Sequence, residues 1–166
     1  MRKVVTSVVL GLVVLSLAAC GGSSGDSAAE KEIQRQADLY AIGQIQTTFH
    51  RALSEKDIDL MMSVWAPDAT FTLGSGQTKT GTAEIRKIWL ASTPFQSTAR
   101  FVPETPSYKT RATANGDRGT LFFECHLFDA KTAEVIALSG ADTQVAKIDG
   151  RWLITSFVGA TGTLSP

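Results

Sequence analysis

The sequence predicts an α+β fold in which helices come first and an antiparallel sheet follows. Between residues 29 and 95, apolar side chains recur mainly at the three- and four-residue spacing of amphipathic helices. After Phe95 the chain changes to runs of β-branched and aromatic residues that are typical of strands. Asn115-Gly116 and Asp149-Gly150 favour tight hairpin turns, so we expect the strands on either side of each turn to pair antiparallel.

Three helices are predicted in the first half of the chain. Apolar spacing predicts a long helix over residues 29–54. Asp57 is placed to cap a second helix over residues 58–65, which Pro67 would stop. A third helix begins at Gly81-Thr82, with an acidic residue in its first turn.

The predicted strands follow the turn signals. They cover residues 69–73, 97–113, 118–128, 134–148 and 151–158. The segment over 97–113 contains Pro103 and Pro106, which suit an edge strand or a bulge because proline cannot donate to a neighbouring strand. No internal repeat is present.

The first twenty residues have the pattern of a bacterial export signal. Two basic residues precede an uncharged run over residues 4–19, which as a helix would span about 24 Å, short of a hydrocarbon core of ~30 Å. Leu17-Ala18-Ala19-Cys20 resembles the lipobox of bacterial lipoproteins, which implies a lipid on the Cys20 sulfur and cleavage after Ala19. The alternatives are an uncleaved anchor helix, or a secretory peptide in which the cysteine is incidental.

The lipobox resemblance implies three segments. They are a signal peptide over residues 1–19, a flexible tether over 20–29 that is rich in Gly and Ser, and one domain over 30–166. Such a protein is held outside the cytoplasm by its membrane-inserted lipid. Gly21, and not an Asp, follows the cysteine, which in a Gram-negative cell favours the outer membrane.

Charge and cysteine content argue against several partners and cofactors. The chain has 16 basic and 16 acidic residues, and the basic ones do not cluster with aromatic residues as in nucleic-acid-binding proteins. Two histidines and few cysteines provide no close metal-ligand spacing, and no Gly-rich phosphate loop follows a strand. We therefore expect no nucleic acid partner, no metal and no other cofactor. Cys125, in an apolar stretch, is expected to be a buried, inert thiol.

Four segments together resemble the SnoaL-like, nuclear transport factor 2-like superfamily. They are FHRALSEKDID at 49–59, WAPDATF at 65–71, GTAEIR at 81–86 and DGRW at 149–152. Their order and spacing are similar to those of the family, and the resemblance covers about residues 30–160.

The resemblance implies a curved antiparallel sheet that wraps against three N-terminal helices as a cone, the cystatin-like roll. A pocket at the wide end of the cone suits a small apolar molecule with one or two polar groups. The superfamily includes ketosteroid isomerases, scytalone dehydratases, polyketide cyclases, limonene epoxide hydrolases and many non-catalytic binders, so the fold alone does not assign chemistry. Members commonly dimerise through the outer sheet, so we expect a homodimer.

The catalytic positions of ketosteroid isomerase are mostly unfilled. The resemblance places the oxyanion-donor Tyr of the first helix at Phe49 and the general-base Asp after the first strand at Leu73. Neither residue can donate or accept a proton, so that mechanism cannot operate. The third position, a protonated Asp on a late strand, matches Asp142. We expect Asp142 either to face the pocket or to be a solvated or salt-bridged strand residue.

A second candidate acid–base group is formed by Glu124 and His126, which share one face of their strand. The resemblance places a catalytic His of scytalone dehydratase at His126. That enzyme's helix Asp and Tyr correspond to Arg51 and Leu53, which cannot replace them. The alternative is a pair on the surface or on a dimer face.

The strand register decides which of these candidates faces the cone. A four-residue loop over 130–133 would pair Cys125 with Leu138, which puts Asp142 on the Cys125 face and His126 on the opposite face. A shift of one residue would reverse this assignment. We therefore do not expect Asp142 and His126 both to line the cavity.

The predicted pocket combines these positions with nearby aromatic residues. Its candidate lining residues are Tyr40, Phe49, Leu73, Trp89, Phe95 and Asp142. Trp89 is the strongest aromatic candidate, because isomerases of the family place a Tyr there. Tyr40 either projects its hydroxyl toward the mouth of the cone or packs, and His50 is expected at the boundary of the core.

Three functions remain open from the sequence. The first is a lipid-anchored, non-catalytic module that binds a small hydrophobic ligand or a protein partner. The second is a cofactor-independent lyase, isomerase or hydrolase that uses Asp142, or Glu124 with His126. The third is a dimeric interaction domain whose cone is filled with side chains.

Overall fold

The computed structural model describes residues 24–98, 101–106 and 109–161. The predicted signal peptide and the lipidation site at Cys20 lie outside these residues. Among the helices that are described, none combines the length and the apolar character that crossing a bilayer requires.

Four helices are present in the described part of the chain: α1 (Ser24–Glu55), α2 (Ile58–Met62), α3 (Thr82–Ala91) and α4 (Thr93–Gln96). The helix α1 begins inside the segment predicted as a flexible tether, and good helix formers follow its acidic start. Asp57 caps α2 as predicted, because its carboxylate accepts a hydrogen bond from the Leu60 amide at 2.9 Å.

Within the described residues, seven strands form one sheet: β1 (Trp65–Thr72), β2 (Thr78–Thr80), β3 (Phe101–Glu104), β4 (Arg111–Asn115), β5 (Arg118–Asp129), β6 (Val135–Ile148) and β7 (Arg151–Thr161). Their order is β2-β1-β7-β6-β5-β3, and β4 also pairs with β5. The pair β1–β7 is parallel and the others are antiparallel.

Two sequence predictions about elements were wrong. The second helix does not continue to Trp65, because Trp65 already pairs with Ile154 of β7. The single strand over 97–113 is divided into two separate strands, β3 and β4. Pro103 lies in β3 at the end of the sheet order, where an unpaired side of the strand tolerates proline.

The helices α1 and α3 pack on one side of the sheet, which we call the inner face. In β5 the buried residues of this face, Leu121, Phe123, Cys125 and Leu127, alternate with partly exposed ones. The opposite side, which carries Phe122, Glu124 and His126, is called the outer face. Cys125 is buried, as predicted.

The register of β5 and β6 is shifted by a β-bulge. The four-residue loop over 130–133 forms as expected, since the Asp129 amide bonds the Glu134 carbonyl. Leu127 then pairs with Ala137, so the bulge skips one residue of β6. Cys125 consequently pairs with position 139 and not with 138, and every later residue of β6 changes face.

Asp38 fastens α1 to the last hairpin. Its Oδ1 accepts hydrogen bonds from Trp152 Nε1 at 2.9 Å, from Lys147 Nζ at 2.9 Å and from Gln34 Nε2 at 3.2 Å. The bond from Trp152 and the charge of Lys147 hold the pKa of Asp38 below its ordinary value. A buried carboxylate thereby fixes the position of the helix on the sheet.

Candidate functional site

Six aromatic residues pack against one another on the inner face of the sheet. This aromatic cluster consists of Phe49, Trp65, Phe71, Trp89, Phe123 and Phe157. The ring of Phe157 is stacked between Phe71, with centroids 5.0 Å apart, and Phe49, with centroids 5.9 Å apart. Trp89 of α3 meets Phe49 edge to face at 5.1 Å. Such spacings are those of rings in direct contact.

The cluster changes the expected character of the site. Phe49, which stands where a catalytic Tyr would be, is a buried core residue that also contacts Phe123 at 5.3 Å. Trp89, Leu73 and Phe95 are partly buried and pack against the core. Leu73, Phe95 and the cluster member Trp89 therefore lie at the edge of the buried core, while Phe49 lies within the core.

Three buried polar atoms adjoin these rings without a hydrogen-bond partner among the described residues. They are Trp65 Nε1, Trp89 Nε1 and Thr143 Oγ1. Thr143 is opposite Phe157 in the sheet, and both indoles contact that ring. Because a buried N–H without an acceptor is destabilising, Trp89 Nε1 offers a bond to any acceptor that reaches it.

Tyr40 does not belong to the site. Its side chain is 71% exposed on α1, whereas the residues of α1 that face the sheet are buried. The expectation that Tyr40 lines a pocket was therefore wrong. The neighbouring positions 38 and 42 face the sheet instead, and the helical period turns position 40 toward solvent.

Asp142 lies on the outer face and not in the cone. It pairs with Phe122 of β5 and with Val158 of β7, and it is exposed. The expectation that it lines the pocket was wrong because the bulge in β6 reverses the face. As a result, Asp142 and His126 share a face of the sheet, opposite to the aromatic cluster.

His126 forms a polar cluster with Glu124 and Lys109 on the outer face. Its Nε2 lies 2.8 Å from Glu124 Oε1, and Lys109 Nζ lies 3.3 Å from Glu124 Oε2. The hydrogen bond from His126, with that from Lys109, holds the pKa of Glu124 below its ordinary value. An ionised carboxylate with a lowered pKa is a weak general base, so Glu124 is poorly suited to proton transfer.

His50 is the titratable residue that directly contacts the aromatic cluster rings Phe49 and Phe123. Its Nε2 lies 3.3 Å from Thr105 Oγ1, and its ring centroid lies 5.8 Å from that of Phe123. Burial lowers the pKa of His50 to about 4, so the ring is neutral at pH 7. The sequence placed His50 at the boundary of the core, but only 9% of it is exposed.

The outer face carries two cross-strand rows that the sequence did not reveal. One row is polar and contains Thr113, Thr120, Gln144, Ser156 and Thr70. The next row contains Arg111, Phe122, Asp142, Val158 and Thr72. The Arg111 guanidinium lies over the Phe122 ring at 4.2 Å. The alternation of side chains along each strand predicted that the sheet has two distinct faces. It did not predict which face the helices would cover.

Metal ligands are not gathered in the part of the chain that the structure describes. There, no group of three or more His, Cys, Asp or Glu side chains is close enough to hold a metal ion. The outer-face cluster contains one His and one Glu with a competing Lys, which is unsuitable for a cation.

The chain is similar to known proteins in sequence and in fold. A family model described as the SnoaL-like domain matches residues 46–154. A nuclear transport factor 2-like protein of unknown function from Pseudomonas putida is similar in structure, with a TM-score of 0.66 and 15% identity over 75% of this chain and 87% of that one. No curated protein sequence matches the chain.

Two further solved structures have the same fold. A protein of unknown function with a cystatin-like fold from Nostoc punctiforme has a TM-score of 0.64 and 17% identity, and the match covers 76% of this chain and 92% of that one. A proposed scytalone dehydratase from Novosphingobium aromaticivorans has a TM-score of 0.64 and 11% identity, covering 77% and 86%. These structures confirm the predicted fold class, and the family model over residues 46–154 confirms the family resemblance.

Proposed function

This chain belongs to the SnoaL-like domain family, and from this premise we propose that it is a non-catalytic interaction domain that pairs with a second copy. The pairing surface is the outer face of the sheet, and lipidated Cys20 anchors the protein outside the cytoplasm. The observation that carries the proposal is the aromatic cluster, whose rings contact one another on the inner face, where the family resemblance implied a pocket.

The position of the acid–base residues supports a non-catalytic role. Catalysis in a cone requires a titratable group that faces the bound substrate. Asp142 and the pair of Glu124 and His126 are on the other side of the sheet. Phe49 and Leu73 provide no donor or base, and buried His50 is a weak base because burial lowers its pKa to about 4.

The composition of the outer face supports association. Phe122 and Phe128 lie on it, together with three valines that remain 43–45% exposed: Val102, Val135 and Val158. Interface cores are rich in aromatic residues and arginine, surrounded by polar side chains. The row of Arg111, Phe122 and Asp142 has this composition, and a second copy would cover its apolar part.

The test is to measure the molar mass of the full-length lipoprotein by sedimentation equilibrium in density-matched detergent, which distinguishes a monomer from a dimer. We expect a dimer for the native chain and a monomer for Phe122→Lys, because the new charge would be buried against the partner. Ile33→Lys is the control, since Ile33 is a large apolar residue that is exposed on α1, away from the outer face. A native monomer at every concentration, or a dimer that survives Phe122→Lys, contradicts the proposal.

Anchoring through Cys20 is tested separately. Cys20→Ser removes the thiol that accepts the lipid, so labelled fatty acid should be incorporated into the native protein and not into the variant. Cys125→Ser is the control, because Cys125 is buried in the sheet. Labelling of both proteins, or of neither, contradicts lipidation at Cys20.

A second candidate function is the binding of a small apolar molecule beside Trp89. Its support is the buried Trp89 Nε1 without a described acceptor. Leu73 and Phe95, like Trp89, are partly buried apolar residues that pack against the core. A steroid-like or polyketide-like ligand with a carbonyl group should raise the melting temperature of the native chain. Trp89→Phe should reduce this rise, and no rise with any such compound would exclude the candidate.

A further inference from the structure

The direction of α1 relative to the sheet determines which end of the domain is closest to an anchor at Cys20. Ile42 Cδ1 lies 3.0 Å from the position of a Cβ on Gly119, near the start of β5. Further along both elements, Phe49 and His50 contact Phe123. The helix therefore runs along β5 in the same direction, and its first turns point past the β4–β5 turn.

The chain between the anchor and the domain is short. Only three residues separate Cys20 from Ser24, the first residue of α1, and fully extended they allow about 14 Å between these two residues. The turns of α1 before Asp38 are exposed from residue 27 onward, and the pairs of Glu32 with Arg35 and Gln36 connect successive turns. The part of α1 from Ser24 to Asp38 is about 21 Å long. With an anchor at Cys20, the end of the sheet that carries the β4–β5 turn therefore faces the membrane.

From this orientation, and resting on the proposed anchoring and pairing, we propose that the two-fold axis of the dimer runs parallel to β5 and perpendicular to the bilayer. A two-fold rotation leaves the direction of a helix unchanged when the helix is parallel to the rotation axis. It reverses the direction of a helix that is perpendicular to the rotation axis. A β5 strand of 12 residues is about 40 Å long. A two-fold axis perpendicular to the strands would put the first turn of α1 of the second copy at the end of the sheet that is distant from the membrane. Its short linker could not span that distance to the bilayer.

This axis predicts which side chains meet. When two sheets pack face to face about an axis along β5, β4 of one copy lies over β6 of the other. Arg111 of β4 and Asp142 of β6 both pair with Phe122, so they are at the same height along β5. An axis that passes beside Phe122 therefore brings Arg111 of each copy to Asp142 of the other, which gives two equivalent ion pairs around a central aromatic contact.

A charge exchange tests this arrangement in the full-length lipoprotein in detergent. Arg111→Asp alone and Asp142→Arg alone should each raise the dimer dissociation constant about tenfold or more, because like charges then face each other. The double variant Arg111→Asp with Asp142→Arg should return the constant to within a few-fold of the native value. An axis across the strands would bring Arg111 close to Arg111 of the second copy, so Arg111→Asp would not weaken the dimer and the double variant would show no rescue.

Thiol cross-linking in membranes provides an independent measurement. Arg111→Cys mixed with Asp142→Cys should form a mixed cross-linked dimer with a short bifunctional reagent, since facing sheets are about 10 Å apart. Arg111→Cys by itself should form much less, and the native chain is the background control. A native monomer would overturn the proposed function. A native dimer without rescue and without the mixed cross-link would overturn only the axis.

Discussion

At the scale of single residues, burial decides what each polar group of this domain can do. Asp38 is buried but keeps its charge, because Trp152, Lys147 and Gln34 donate three hydrogen bonds to one oxygen. His50 is buried with one weak partner, Thr105, and is held neutral. The same burial thus produces an anchoring ion pair at one position and an uncharged ring at the other.

The pKa of His50 predicts how stability depends on pH. The unfolded chain binds a proton below about pH 6.5, whereas folded His50 binds one only near pH 4. The contribution of neutral His50 to the free energy of unfolding is therefore fully present above pH 6.5 and is lost as the pH falls toward 4. The loss is at most about 1.4 kcal/mol per pH unit and roughly 3 kcal/mol between pH 6.5 and pH 4. His50→Gln, which retains a polar partner for Thr105, should remove this dependence.

Urea denaturation at pH 7, 6, 5 and 4 measures the free energy of unfolding for both proteins. Carboxylates titrate in both chains, so the difference between native and His50→Gln isolates the histidine. A difference that does not change with pH would show that His50 is not neutralised by burial.

At the scale of elements, close packing of α1 on the β4–β5 hairpin depends on glycine. A Cβ on Gly119 would lie 2.4 Å from the Thr113 carbonyl oxygen and 3.0 Å from Ile42 Cδ1. The carbonyl belongs to the backbone of β4 and cannot move away without breaking the pairing of these strands. The absence of a side chain at position 119 therefore lets the helix lie close to the sheet.

Gly119→Ala should lower the free energy of unfolding by about 2 kcal/mol, the usual cost of overpacking. Gly43→Ala is the matched control, since nothing lies within 4 Å of a Cβ there. Because alanine has a higher helix propensity than glycine, Gly43→Ala should instead raise the free energy of unfolding by up to about 1 kcal/mol. Equal effects of the two substitutions in urea denaturation would contradict the close approach at Gly119.

At the scale of the whole molecule, the aromatic cluster joins the helices to the sheet. Phe157 contacts every other ring of the cluster, which come from α1, α3, β1 and β5. The curved sheet closes around these rings, so one side of the molecule is packed and the other is available for contact.

Phe157→Ala should remove about 3–5 kcal/mol from the free energy of unfolding and leave an apolar cavity. If the variant remains folded, benzene or indole should raise its melting temperature more than that of the native chain. Phe157→Leu is the control, because leucine fills most of the volume of the phenylalanine side chain. We expect it to lower the free energy of unfolding by less than Phe157→Ala does. A small loss for Phe157→Ala would indicate that the rings do not support one another.

Local patterns in the sequence were sufficient for most of the fold. The apolar period of α1, the cap at Asp57 and the Asn-Gly and Asp-Gly turns are interactions between residues that are near in the chain, so the sequence records them directly. The family resemblance added the curved sheet. The short strand β2 was missed, because only its pairing with β1 defines it.

The site depended on contacts that no local pattern specifies. One skipped residue in β6 moved Asp142 to the outer face, and strand alternation is the same for either register. Phe49 and Trp89 were recognised as neighbours of the cone, but whether rings fill it depends on six side chains from five elements. The sequence by itself determined the elements and their order. The tertiary structure decided which face each strand buries, because register and packing are settled only when distant segments meet.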